Sequence, residues 1–315
     1  MPYTPTVGTK DFLSVLDLSS AELTALLDLA ARLKRERVLG AKAPTASALA
    51  GKHVALIFEK PSLRTRATFE IAVRELGADA LHVPPSSIDG QREPLEDIAR
   101  NLERWVHGVV LRTFAQAKAS AIGAAASRLH VINALTDEEH PCQALADFLT
   151  LHEQWGGWQG RTLAYVGDGN NVAVSLAHAA AMLGVSLRIA SPAGYELPPA
   201  AASAARGVAT AGATLTLVQD PLEAAAGADA VYTDVWTSMG QEAEAVERRR
   251  IFSPYQVNAA LMAVTAPGAR FLHCLPAHQG EEGTAEVFAS PASVVFDQAE
   301  NRLHTQKALL LMLLG

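Results

Sequence analysis

Two rhythms of apolar residues alternate along this chain. His53–Phe58 and the stretches 80–83, 109–111 and 131–134 are short apolar runs bounded by polar residues, and each predicts a buried strand. Between them, residues 63–76 (closed by Gly77), 94–106 and 118–128 space their apolar side chains as helices do. An earlier helix is predicted to open near Ser19. Ser19 and Glu22 have capping-box spacing, and leucines at 23, 26, 27 and 33 follow on one face. Strand–helix–strand alternation of this length predicts a parallel sheet covered by helices on both faces.

The pattern then repeats. Pro141–Trp155 predicts a connecting helix, ended by Gly156-Gly157. Strands are predicted at Thr162–Val166, 187–190, 214–218, 230–234 and Arg270–His273, with helices at 172–183 and 199–211 among them. A last helix, 298–313, is placed back on the first domain. The expected fold is therefore α/β, with two domains that are each a mostly parallel sheet flanked by helices. Residues 1–150 and 151–295 form the domains, and residues 296–315 carry the returning C-terminal helix.

Composition narrows the function without naming it. A net charge of −7 leaves no surplus of Lys and Arg to neutralise a nucleic-acid backbone, so no nucleic-acid partner is expected. A few arginines converging in a cleft can still attract a small anion. Cys142 and Cys274 cannot build a disulfide framework, and neither belongs to a CxxC pair. No secretory signal is read at the N-terminus, and the apolar run 308–314 is too short to span a bilayer. A cytoplasmic protein without a membrane partner is expected.

In open parallel sheets, ligands bind beyond the carboxyl ends of the strands, so the residues just after each apolar run carry the candidate chemistry. After the first run stand Ser62, Leu63, Arg64, Thr65 and Arg66, a predicted helix start with guanidinium groups beside it. Free amides, the helix dipole and the arginines together suit a phosphate or carboxyl phosphate, and an ordinary capped helix start is the other reading. Arg112 ends a strand that is otherwise wholly apolar, which calls for an anionic partner, either a ligand or a structural carboxylate. His140, Pro141, Cys142 and Gln143 form another helix start, where His140 and Gln143 could both donate to one oxygen.

Gly167-Asp168-Gly169 follows a strand and invites a dinucleotide reading. Val172 stands where the third glycine would be required, and no acidic ribose ligand ends the next strand. Asn170-Asn171 could instead bond a polar ligand. Asp234, followed by Ser238-Met239-Gly240, could hold the ammonium group of an amino acid, or could cap a helix. Cys274 is either a reactive thiol or a small buried residue. No metal-ligand spacing and no cofactor motif is read.

Taken together and in this order, these segments resemble the aspartate/ornithine carbamoyltransferase family, most closely its ornithine branch. Phe58 to Arg66 is similar to the family's carbamoyl-phosphate loop, and His140-Pro141-Cys142-Gln143 to its His-Pro-x-Gln element. Asp234 to Gly240 is similar to the Asp-x-x-x-Ser-Met-Gly signature, His273-Cys274-Leu275-Pro276 to the His-Cys-Leu-Pro motif, and Ala299-Glu300-Asn301-Arg302 to the segment whose arginine reaches the donor. The resemblance implies transfer of a carbamoyl group from carbamoyl phosphate to ornithine, without a cofactor. It implies a donor site of Ser62, Leu63 (through its backbone), Arg64, Thr65, Arg112, His140, Pro141, Cys142, Gln143, Cys274, Leu275 and Arg302. It implies ornithine contacts from Asn171, Asp234, Ser238 and Met239, catalytic roles for Arg112, His140, Cys274 and Asp234, and a homotrimer or a multiple of one. Two positions depart from the pattern. Leu63 replaces the usual Thr, as in relatives that take N-acylated ornithines, and Ile88 stands where the family often supplies a polar side chain to the donor site.

Overall fold

The computed structural model describes residues 6–238, 240 and 242–315. The chain divides into two compact units, one made of residues 1–149 with 300–315 and the other of residues 150–299. The expected α/β class holds in both.

In the first unit, strands β1 (His53–Phe58), β2 (Asp79–Val83), β3 (Gly108–Arg112) and β4 (His130–Leu135) pair in the order β2-β1-β3-β4, every pair parallel. Helices α1 (Ser20–Glu36), α2 (Leu63–Glu75), α3 (Leu95–Trp105), α4 (Gln116–Ala125) and the start of α5 (Pro141–Trp155) surround them. The central strand β3 is buried along its whole length, whereas the edge strand β2 is largely exposed. Apolar side chains of β1, β3, α3 and α4 form one core, with Ile57, Ile98, Val109, Leu111 and Ile122 among its members. The Ser19–Glu22 capping box forms as its spacing requires, closing the orphan amides of α1.

The second unit holds β5 (Thr162–Val166), β6 (Ser186–Ala190), β7 (Leu215–Val218), β8 (Ala230–Thr233) and β9 (Arg270–His273), ordered β7-β6-β5-β8-β9 and again all parallel. Its helices are α6 (Asn171–Leu183), α7 (Pro199–Gly207), α8 (Pro221–Ala225), α9 (Ala245–Phe252), α10 (Ala259–Ala263) and α11 (Ala285–Ala289). Helix α6 is apolar nearly all round and buried from Val172 to Leu183; Gly184, at φ +78, closes it in the left-handed conformation that glycine adopts freely. The final helix, α12 (Val295–Leu314), begins in this unit and belongs to the first from Glu300 onward. Within the first unit it is tied by Lys34 to Asn301 at 2.8 Å and by Lys307 to Glu75 at 2.9 Å. No helix among the described residues is long and apolar enough to cross a membrane.

Strand order locates the chemistry. In the first sheet the direction of winding reverses between β1 and β3, and in the second between β5 and β8. Ligand crevices open at such switch points, beyond the strands' carboxyl ends. The loops there carry Ser62–Thr65 and Arg112 in one unit, and Gly167–Asn171 and Asp234–Ser238 in the other.

Candidate active site

In the first unit, Ser62 is the N-cap residue of α2, yet its side chain makes no capping bond. The first-turn amides of Leu63, Arg64 and Thr65 therefore have no acceptor from the helix itself and stand with the positive end of its dipole. Leu63 is 80% exposed, so its side chain is not held in the core. Arg66 lies over the Phe58 ring at 5.4 Å, whereas Arg64 is half-buried in the first turn.

Below the loop, Glu59 accepts from the Thr113 hydroxyl and pairs with Lys118 at 2.5 Å. Buried Lys60 meets Asp137 at 2.5 Å and sits over the Phe114 ring. The acid and base that precede the loop are thus consumed in fixing it.

Arg112 ends β3 at a register shift in its pairing with β4 and is buried. Arg302, from α12, is 2% exposed and donates to the Thr65 hydroxyl at 2.6 Å. His140, at the head of α5, is also buried. Burial first, and then the charges of Arg302 and Arg112, hold its imidazole well below the usual histidine range. Two guanidinium groups and a neutral imidazole thus share one dry region: a setting for an anion, with His140 able to donate one hydrogen bond while carrying no charge.

Asp147 fixes the Gln143 amide: one of its two N–H groups donates to Asp147 at 2.8 Å, and its Oε1, buried and without a hydrogen-bond partner among the described residues, is an acceptor. Cys142 donates to the Asn133 carbonyl at 3.3 Å, and burial pushes its thiol up to about 12, so it stays protonated. A buried network in which Gln116 receives Asn133 and Thr136, while the Thr136 amide donates to Glu139, supports the turn before His140.

In the second unit, Asp234 leaves β8 buried, with both oxygens engaged. Oδ1 accepts from the Cys274 thiol at 2.9 Å and Oδ2 from Asn170 at 2.8 Å. Asn170 is in turn the N-cap of α6: its Oδ1 accepts from Val172 and Ala173 and from the Tyr165 hydroxyl. Asn170 thus holds Asp234, and Asn171 is the first residue of the helix it caps. Asp234 is no helix cap. Gly169 owes its identity to packing, since a Cβ there would come within 2.4 Å of the Glu196–Leu197 backbone. This accounts for the incomplete glycine pattern without any nucleotide.

Ser238 is half-buried in the loop after β8, and Met239 lies outside the described residues. After β9, Leu275 takes φ +56 and the Leu275–Pro276 bond is cis. Donor atoms of Asp234, His273 and Cys274 lie within 4.8 Å of one another, but both His273 nitrogens are hydrogen-bonded within the fold.

Arg248 is a residue that the sequence reading missed. Its side chain is 3% exposed, pairs with Asp168, donates to the Trp236 carbonyl and lies over the rings of Tyr195 and Phe252. It therefore ties α9 to both loops at the switch point of this sheet. Burial pushes Asp168 up to about 6 even with Arg248 opposite.

The fold and these residues define a class: a two-unit α/β protein whose first unit gathers buried arginines beside a helix start and whose second presents a buried carboxylate. Residues 10–153 match the carbamoyl-P binding domain of aspartate/ornithine carbamoyltransferases, and residues 159–313 match their Asp/Orn binding domain, so the chain belongs to the aspartate/ornithine carbamoyltransferase family. It is 51% identical to the ornithine carbamoyltransferase of Thermus thermophilus over 306 residues, covering 97% of each chain. It is also 51% identical to that of Acidothermus cellulolyticus over 308 residues, covering 97% of this chain and 96% of the other. Among solved structures, ornithine carbamoyltransferase from Pyrococcus furiosus superposes with a TM-score of 0.92 at 44% identity and covers 97% of both chains. The Thermus thermophilus structure gives 0.87 at 47% identity, covering 98% of this chain and 99% of that one.

Proposed function

We propose that this protein is an ornithine carbamoyltransferase, moving the carbamoyl group of carbamoyl phosphate to the side-chain amine of L-ornithine to give L-citrulline and phosphate, in arginine biosynthesis or in the catabolic arginine deiminase pathway. The observation that carries the reading is the pairing of chemistries at the two switch points. Arg112, Arg302, neutral His140 and the open amides of α2 suit a phosphorylated donor. Asp234, bonded to Cys274 and Asn170, suits a cationic amino acid. An aspartate acceptor would need cations where Asp234 stands.

The amine attacks the carbamoyl carbon, the carbon–oxygen bond to phosphate breaks, phosphate leaves with that electron pair, and the amine gives up a proton. Such a reaction is accelerated by positioning and by donors aimed at the developing oxyanion. Arg112, His140 and Thr65 fill that role, Arg64 and the start of α2 take the phosphate, and the Gln143 Oε1 receives the carbamoyl N–H. Cys274 and Leu275 add their backbone to the donor site, while Asn171, Ser238 and Met239 join Asp234 on ornithine. A homotrimer in the cytoplasm is part of the same proposal.

The test is citrulline formation from carbamoyl phosphate with a panel of acceptors: ornithine, N-acetylornithine, putrescine and aspartate. Ornithine is expected to exceed the others by at least 100-fold in kcat/KM. Preference for N-acetylornithine, which Leu63 would favour, or absence of turnover with all four, overturns the assignment.

A further inference from the structure

The end of β9 and the loop after it hold a histidine, His273, and a glutamate, Glu282, both fully buried, to which the reaction above gives no task. The Leu275 amide donates to Nδ1 of His273 at 2.8 Å. Nδ1 must therefore bear a lone pair, which places the ring proton on Nε2, 3.1 Å from Oε1 of Glu282. The same Oε1 takes the His278 amide at 2.6 Å, and the His273 amide is held by Gln298 at 3.0 Å. Ring orientation and tautomer are fixed together.

This arrangement acts on the Leu275 backbone. Leu275 sits at φ +56, a region that branched residues rarely enter, and its amide bond to His273 spans two residues in the manner of an Asx turn. The residue that follows is proline, which has no N–H. With the Leu275 amide committed inward, the stretch Leu275–Pro276 has only carbonyl oxygens to offer a ligand. A carbamoyl group differs from an acetyl group in presenting N–H donors where acetyl has a methyl group.

We propose that His273, oriented by Glu282, is a positioning residue that makes the Leu275–Pro276 backbone an acceptor-only strip, and thereby selects carbamoyl phosphate over acyl phosphates. The inference rests on the reading that this backbone meets the carbamoyl group.

The experiment compares KM for carbamoyl phosphate with the inhibition constant of acetyl phosphate, which keeps the phosphate and carbonyl but lacks the amine. Wild type, His273→Asn, His273→Phe and Glu282→Met are measured, with the ornithine KM as a control. Asn can accept the same amide through its Oδ1, so His273→Asn is expected to hold the acetyl-to-carbamoyl ratio within about twofold of wild type. Phe fills the space without accepting, so His273→Phe should narrow the ratio about tenfold, the worth of one good hydrogen bond. Glu282→Met frees Nε2 and also releases the His278 amide, while the His273–Leu275 bond keeps both its partners, and it should narrow the ratio too; it supplies the reading if His273→Phe does not fold. A ratio unchanged in His273→Phe or in Glu282→Met, or Phe preserving selectivity better than Asn, overturns the proposal in favour of simple packing. Absence of citrulline formation by wild type would instead overturn the functional reading itself.

Discussion

Buried charge is expensive, and two arginines that survive it in the first unit mark where it is repaid. Arg112 and Arg302 are both nearly inaccessible, and both lie close enough to His140 to depress its basicity. Removing an oxyanion donor from a comparable site costs about 100- to 1,000-fold in rate. Arg112→Ala is accordingly expected to lose at least 100-fold in kcat while its circular dichroism spectrum stays native. His140 makes a second, separable prediction. Because its imidazole is held neutral, His140→Asn, which keeps a neutral donor, should lower kcat while leaving the shape of the kcat–pH profile between pH 6 and 8 unchanged; a lost ionisation in that window would show that His140 titrates there.

The sequence displayed most of this residue set. A charged residue ending an apolar strand, or a polar cluster just after one, stands out in pattern alone, and Arg112, Asp234 and the Ser62–Thr65 loop are of that kind. Pattern could not reveal the orientation of an amide: the bond to Asp147, one turn further along α5, sets which way the Gln143 amide faces. Nor could it separate adjacent identical residues, and only the bond from Asn170 to Asp234 shows which asparagine holds the carboxylate.

At the scale of elements, long apolar strands and helices were legible because burial on a sheet imposes their periodicity. Several short helices of the second unit were not, α9 among them. Its run Arg248-Arg249-Arg250 reads as a solvated face, and for Arg249 and Arg250 that is correct, with side chains 55% and 75% exposed. Arg248 differs only through what surrounds it: the Tyr195 and Phe252 rings, the Trp236 carbonyl and Asp168.

Because Arg248 holds the loop that leads from Asp234 toward Ser238, Arg248→Met should raise the KM for ornithine by about tenfold or more while the KM for carbamoyl phosphate stays within twofold. Equal changes in both would show a general loss of structure. Asp168, its partner, has a folded-state pKa above its unfolded value of 3.8, at about 6. A raised value means that the folded protein binds the proton more tightly, so this group's stabilising contribution is complete below about pH 4 and is lost as pH rises through 6. Urea denaturation of wild type and Asp168→Asn across pH 4 to 7 should show wild type falling relative to the variant by up to about 3 kcal/mol. A pH-independent difference between the two would contradict the shift.

For the molecule as a whole, the α/β class followed from alternation of strand and helix along the chain. The order of strands within each sheet did not, since parallel pairing joins residues far apart in sequence and leaves no local trace. The charge of −7 on a 33.3 kDa chain agrees with small-molecule rather than nucleic-acid chemistry. The trimer proposed above predicts a sedimentation-equilibrium mass of about 100 kDa, three times that of one chain; a mass of one chain at micromolar concentration would remove it.

The passage of α12 from one unit to the other has a consequence for how the protein is made. The first unit leaves the ribosome first but is finished last, because residues 300–315 are synthesised only after the whole second unit. Arg302 lies in that late segment and is the group bonded to Thr65 in the first turn of α2. A nascent chain halted between His273 and Glu300 has every strand of its second sheet, yet its first unit lacks one of its two buried arginines. If Arg302 binds the donor as proposed above, translation order withholds phosphate recognition until the second unit exists, and a truncated product has no finished donor site with which to sequester a reactive acyl phosphate.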